Sequence, residues 1–258
     1  MRNNLIKVEI ADHIAVVKMD NAPVNAYSRD FSEELMEVFD EINDTPEVRC
    51  TVITGREKIF SAGADIKNRQ AVGDIKGETY RHMRRARETS NCIMEQNRPV
   101  IAAVNGPALG AGMGPVIAAD IVLASENAVF GLPEIDIGLM GGVSHITSMF
   151  PKNLARRMIL TGYRVPAAEA YRRGIIEGVY PLEDLMDEAM KLARIIASKS
   201  PKALTLAKRA INTVNSMPLR EGYRFEQNLT NEMTRHEDSK EAMRAFVEKR
   251  PAVFKDTV

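Results

Sequence analysis

The sequence of 258 residues predicts an α/β fold, and three observations carry that expectation. Short apolar, β-branched runs end in small-residue turns that lead into helical stretches, most plainly where residues 99–104 pass through NGPALGAGMG at 105–114 into residues 115–119. The N-terminal stretch alternates polar and apolar residues as a hairpin does. The C-terminal third carries apolar residues at helical spacing, interrupted at prolines.

Taken in order, residues 5–10 and 14–19 alternate as strands around Ala11, Asp12 and His13, and His13 reads as a solvated turn residue. Residues 21–26 form a loop. Residues 28–43 place Phe31, Leu35, Val38, Phe39 and Ile42 on one helical face, and Thr45-Pro46 ends that helix because a residue before proline avoids the helical region. Residues 48–54 alternate as a strand, the chain breaks from Gly55 to Lys58, and residues 60–66 set small residues around Gly63. Residues 67–98 are the most polar part of the first half. There Arg81, Arg84, Arg85 and Arg87, with His82, form a basic run on a helix, either a solvated face or help in holding an anionic cofactor tail. Residues 182–198, 202–214 and 219–234 read as helices broken at Pro181, Ser200-Pro201 and Met217-Pro218. The 14 methionines are spread along the chain and suit packing, with some able to line an adaptable pocket.

Composition narrows the function classes. At this length, 45% hydrophobic residues can bury one large core with a small appended lobe. Lys+Arg 35 balances Asp+Glu 35, so no global field attracts nucleic acid or anionic membrane. Cys50 and Cys92 have neither metal-ligand spacing nor a disulfide framework; both are expected to be buried, inert thiols in a reducing compartment. The first residues contain no uninterrupted apolar run, so the expectation is a soluble, cytoplasmic protein.

Two strand–turn–helix junctions carry the candidate chemistry. Gly106, Gly110, Gly112 and Gly114 remove Cβ atoms where the chain turns, so that N–H groups at a helix start can approach a ligand oxygen. Such donors suit an anion or a developing oxyanion, and the second junction around Gly63 could bring another donor to the same oxygen. Glu134 follows Phe130-Gly131-Leu132-Pro133, a partly apolar setting that should raise its pKa toward that of a useful acid or base. Asp136 is expected to make structural hydrogen bonds and Ser144 to cap a helix. His145 either supplies acid/base chemistry or makes a structural hydrogen bond at a helix start. A dinucleotide site at Gly110-x-Gly112 is a poor reading, because the spacing lacks the third glycine of that fingerprint and the chain has no matching unit at its start.

FSAGADIK at 60–67, PVIAAVNGPALGAGMG at 99–114, DIVLAS at 120–125 and FGLPEIDIG at 130–138 resemble, in order and spacing, the signatures of the enoyl-CoA hydratase/isomerase (crotonase) superfamily. Residues 245–251 resemble the family's closing helix. The resemblance implies a crotonase-type spiral of β-β-α units over residues 1–198 and a helical C-terminal trimerisation region over 199–258, assembled as a homotrimer or a dimer of trimers. It implies an acyl-CoA thioester substrate, with coenzyme A entering as part of that substrate, no permanently bound cofactor and no metal. The backbone N–H groups of Ala64 and Ala111 match the two donors that hold the thioester carbonyl oxygen. Ala62, Ala64, Asp65, Ile66 and Lys67 match the coenzyme-binding turn; Phe246 and Lys249 match positions near the adenine end, often supplied by a neighbouring subunit. The region of Met83 would lie over the acyl pocket. Glu134 matches the second of two family glutamates.

The chain departs from the hydratase pattern twice. Gly114 stands where hydratases carry the first catalytic glutamate, and Gly141-Gly142-Val143-Ser144-His145 replaces the usual Pro-Gly-x-Gly-Gly turn. Three readings follow: a hydratase/isomerase-type enzyme with Glu134 as its main acid/base; a thioester or C–C bond hydrolase using His145 with Glu134; or a non-catalytic CoA-ester binding paralogue. The last is suggested only by Gly114, and the two junctions and Glu134 argue against it.

Overall fold

A two-residue turn sets the first pairing in the computed structural model, which describes residues 4–66 and 75–255. Strands β1 (Ile6–Ala11) and β2 (Ile14–Met19) run antiparallel around Asp12 and His13, whose φ angles of 51° and 65° give the primed turn that matches strand twist. His13 is not merely solvated. It is half-buried, its Nδ1 lies 2.9 Å from the Glu47 carbonyl, and its own carbonyl accepts the Arg49 amide at 2.8 Å, so the turn is tied to the strand that follows.

After the hairpin the chain repeats one unit. A long strand enters the main sheet, a short strand leaves it, and a helix returns. β2 is followed by β3 (Ala26–Tyr27) and the helix Arg29–Asn43; β4 (Cys50–Thr54) by β5 (Gly63–Ala64) and the helix Glu78–Met94. β6 (Val100–Val104) is followed by β7 (Ala108–Leu109) and the helix Met113–Ala118; β8 (Ile121–Ser125) by β9 (Val129–Gly131) and the helix Val143–Met149. With β11 (Gly178–Tyr180), the long strands form a sheet ordered β1-β2-β4-β6-β8-β11, parallel beyond the hairpin. β10 (Val165–Pro166), β9 and β7 form a second sheet, and β3 pairs with β5 in a third. This is the expected β-β-α spiral.

Strand alternation divides the core. Ala15, Val17, Ile53, Ala102, Val104 and Ala124 face the inner helices, including the stripe Phe31, Leu35, Val38, Phe39 and Ile42. Ser28 caps that first helix by accepting the Phe31 amide at 3.1 Å. Ile14, Cys50, Val52, Ile101, Ala103 and Leu123 face the helix Leu185–Ala197, which presents Leu185, Ala189, Ala193 and Ala197. Cys50 is buried as expected, whereas Cys92 is half-buried; desolvation pushes both thiols up to about 12, so neither ionises near neutral pH. No helix among the described residues is long and apolar enough to cross a membrane.

The C-terminal helices are Pro201–Val214, Leu219–Arg235 and Glu237–Glu248. The first is joined to the sheet through a buried ion pair: Lys208 Nζ lies 2.8 Å from Asp120 Oδ2, which also accepts the Val100 amide at 2.7 Å. Burial lowers the Lys208 pKa and Asp120 opposes that shift. Lys208→Met is expected to lower unfolding free energy by about 3 kcal/mol, because it leaves the Asp120 charge without its partner, whereas Lys208→Met with Asp120→Asn recovers most of the loss. Urea titrations check this, and equal losses in the single and double variants would contradict it.

Candidate active site

The two glycine junctions lie side by side. β5 pairs in parallel with β3, and the Asp65 amide donates to the Tyr27 carbonyl at 3.2 Å. Gly63, at φ 93°, bends the chain within this short pairing just before Ala64. On the opposite side stands the second junction: Ser61 bridges Ala108, and the Leu109 amide donates to the Ser61 carbonyl at 2.9 Å. The two backbones approach so closely that a Cβ on Gly63 would lie 3.2 Å from the Ala111 nitrogen. Ala111 sits in the first turn of the 3-10 segment Gly110–Gly112, where amides lack partners within the helix.

Three buried polar side chains fix this apposition. Asn25 donates through Nδ2 to the carbonyls of Met19 (3.2 Å) and Phe60 (2.9 Å), and its Oδ1 accepts the Asn21 amide at 2.8 Å. Ser61 donates to the Asn25 carbonyl at 2.7 Å and accepts the Gly63 amide at 3.1 Å. Asn105 accepts the Gly55 amide at 3.0 Å and donates to the carbonyls of Arg56, Glu57 and Ile59. Each satisfies loop groups that burial would otherwise leave unpaired.

The junctions open onto a cavity of about 640 Å³. Glu134 reaches it from the 3-10 turn Pro133–Ile137, where Pro133 occupies the first position. The carboxylate lies directly over Gly110: a Cβ there would come within 2.7 Å of Glu134 Oε1, and the Gly110 φ of +55° independently favours glycine. Oε2 is buried with no hydrogen-bond partner among the described residues. Burial therefore raises the Glu134 pKa above the ordinary 4.5, opposed by a hydrogen bond from its own backbone. A carboxyl held this way can exchange a proton with a ligand lying against Ala111.

His145 lines the same cavity, half-buried, from the first turn of the helix Val143–Met149. Ser144 is not the cap of that helix; Gly142, at φ 65°, takes the capping position and Ser144 lies inside the first turn. Asp136 also lines the cavity, and its carboxylate makes no hydrogen bond among the described residues, contrary to the structural role expected of it. Its carboxylate instead lies against the backbone at Gly162, where a Cβ would be 2.6 Å from Oδ1.

Of the residues expected to hold coenzyme, Ala62, Ala64 and Ile66 line the cavity and Asp65 does not, while Lys67 lies outside the described residues. Phe246 is 84% exposed on the last helix, Lys249 caps that helix at φ 54°, and neither reaches this cavity within one chain. The basic run divides. Arg81 and Arg85 pair with Glu78, whereas His82, Arg85 and Arg87 border the cavity beside Met83. Ser90, Tyr27 and Arg164 line the cavity without a local sequence signal to single them out. No group of three or more His, Cys, Asp or Glu among the described residues could hold a metal ion.

Comparison with known proteins places this chain in a family. The profile of the enoyl-CoA hydratase/isomerase family matches residues 9–257. A probable mitochondrial enoyl-CoA hydratase of Dictyostelium discoideum is 37% identical over 88% of this chain and 82% of its own length. A carnitinyl-CoA dehydratase of Citrobacter koseri is 36% identical over 94% of this chain and 95% of its own. Among solved structures, an enoyl-CoA hydratase of Bacillus anthracis superposes with a TM-score of 0.92 at 32% identity, covering 98% of this chain and all (100%) of the other. With the spiral fold and paired glycine junctions, these matches show that the chain belongs to the enoyl-CoA hydratase/isomerase family.

Proposed function

We propose that this enzyme moves a proton at the carbon beside the carbonyl of an acyl-CoA thioester, with the Ala64 and Ala111 amides holding the carbonyl oxygen and Glu134 as the main acid/base. The observation that carries this reading is the Glu134 carboxylate, half-buried over Gly110 with an unpartnered Oε2, next to the turn that bears Ala111. Donors aimed at the thioester oxygen stabilise the enolate left by proton removal, and loss of one such donor costs on the order of two to three powers of ten in rate. The same enolate serves hydration, dehydration and double-bond migration, which accords with relatives named enoyl-CoA hydratase and carnitinyl-CoA dehydratase.

A second reading, hydrolysis of a thioester or C–C bond, draws on His145, which borders the same cavity as Glu134. It predicts free coenzyme A or a ring-opened acid as product. Assembly as a homotrimer or dimer of trimers is supported by the apolar side chains left open on the C-terminal helices, among them Leu219 at 90% and Val247 at 79% exposure. In such an assembly a neighbour's Phe246 and Lys249 would meet the adenine end of the substrate.

Crotonyl-CoA and a 3-enoyl-CoA, followed through the conjugated thioester absorbance with products identified by mass, test the reaction class. Glu134→Gln is expected to lower turnover by about a thousandfold while binding of the CoA ester stays within about threefold, and retained turnover would remove Glu134 from the chemistry. The pH profile provides a separate check. As a base Glu134 must be ionised, so kcat/KM is expected to fall as pH drops through a midpoint above 4.5, the ordinary value from which burial raises it. A midpoint below 4.5 would contradict the geometry.

A further inference from the structure

The space that a side chain at position 114 would fill is already taken. A Cβ on Gly114 would lie 2.6 Å from the Ser90 hydroxyl oxygen, so the hydroxyl keeps this place because position 114 is glycine, and any larger residue there pushes it aside. Ser90 comes from the helix Glu78–Met94 and is 7% exposed, and both residues line the cavity. Its neighbour Thr89 donates its hydroxyl back to the Arg85 carbonyl at 2.7 Å. The Ser90 hydroxyl makes no hydrogen bond among the described residues. A serine hydroxyl that is nine-tenths buried, opens on a cavity and has no partner among the described residues keeps its hydrogen-bonding capacity for whatever enters.

We infer that Ser90 is the group that positions the oxygen of water added to, or hydroxide lost from, the β-carbon of the acyl chain. The inference rests on the function proposed above and assigns it to hydration and dehydration. The short turn from Gly110 to Gly114 then carries one polar group at each end, the Glu134 carboxylate at Gly110 and the Ser90 hydroxyl at Gly114. In the hydration direction the water oxygen bonds to the β-carbon, one water O–H bond breaks toward Glu134, and Glu134 returns a proton to the α-carbon as the enolate collapses. The sum is one water added across the double bond. An aliphatic hydroxyl is far too weak an acid or base to share in the proton transfer at neutral pH, so Ser90 orients and Glu134 transfers.

Two readouts separate these roles: hydration of crotonyl-CoA, and exchange of the α-protons of butyryl-CoA in deuterium oxide, which needs no added water. Ser90→Ala is expected to lower kcat for hydration by about thirtyfold with KM within about threefold, and to leave exchange within about twofold of wild type. Gly114→Ala should reproduce that pattern by displacing the hydroxyl, and Ser90→Thr, which keeps it, should retain most of the hydration. Wild type that exchanges but does not hydrate overturns the assignment, as does a Ser90→Ala variant that hydrates at the wild-type rate or loses exchange along with hydration. In each of those cases exchange by wild type, abolished by Glu134→Gln, leaves the proposed function standing; wild type that does not exchange overturns both.

Discussion

The site depends on two irregular loops being held a few ångströms apart, and buried hydrogen bonding holds them. Asn25, Ser61 and Asn105 are each at most 5% exposed; Asn105 comes from the loop after β6, and between them the three satisfy carbonyl and amide groups of the loops after β2 and β4. A hydrophobic core cannot do this, because loop backbone groups removed from water demand partners of their own. Once the loops are tied, Gly63 is held against Ala111, the preorganisation that the proposed pair of amide donors calls for. Preorganisation of this kind is what gives a backbone donor its effect on a developing charge.

Glu134 is placed by a different logic. Its turn is short, and the carboxylate keeps its position because Gly110 has no side chain to exclude it. The half-buried carboxyl is left with an unpartnered oxygen, which costs stability and raises the proton affinity that acid/base chemistry uses. Most of the cavity's remaining wall is apolar, from Met83, Ile117, Leu132 and Met140, a surface suited to an acyl chain.

Much of this was legible in the sequence because it is local. Strand alternation, the glycine junctions and the proline-broken helices each follow from a few adjacent residues, and the β-β-α order followed from the resemblance that those motifs carry. The unexpected features are tertiary. Ser90 sits among polar helix residues and gains its place only by meeting Gly114, to which no local pattern connects it. His13 looked solvated because its contact to Glu47 spans two elements, and Ser144 looked like a cap because the left-handed conformation of Gly142 has no counterpart in side-chain chemistry.

The central claim is that the two junction amides bind the thioester oxygen, and the carbonyl stretch of a bound ester reports it most directly. With butyryl-CoA carrying ¹³C at the carbonyl, isotope-edited infrared difference spectra of the complex should show the band at lower frequency than in water, as two donors polarise the bond. A bound ester whose carbonyl band stays at its solution frequency would contradict the account.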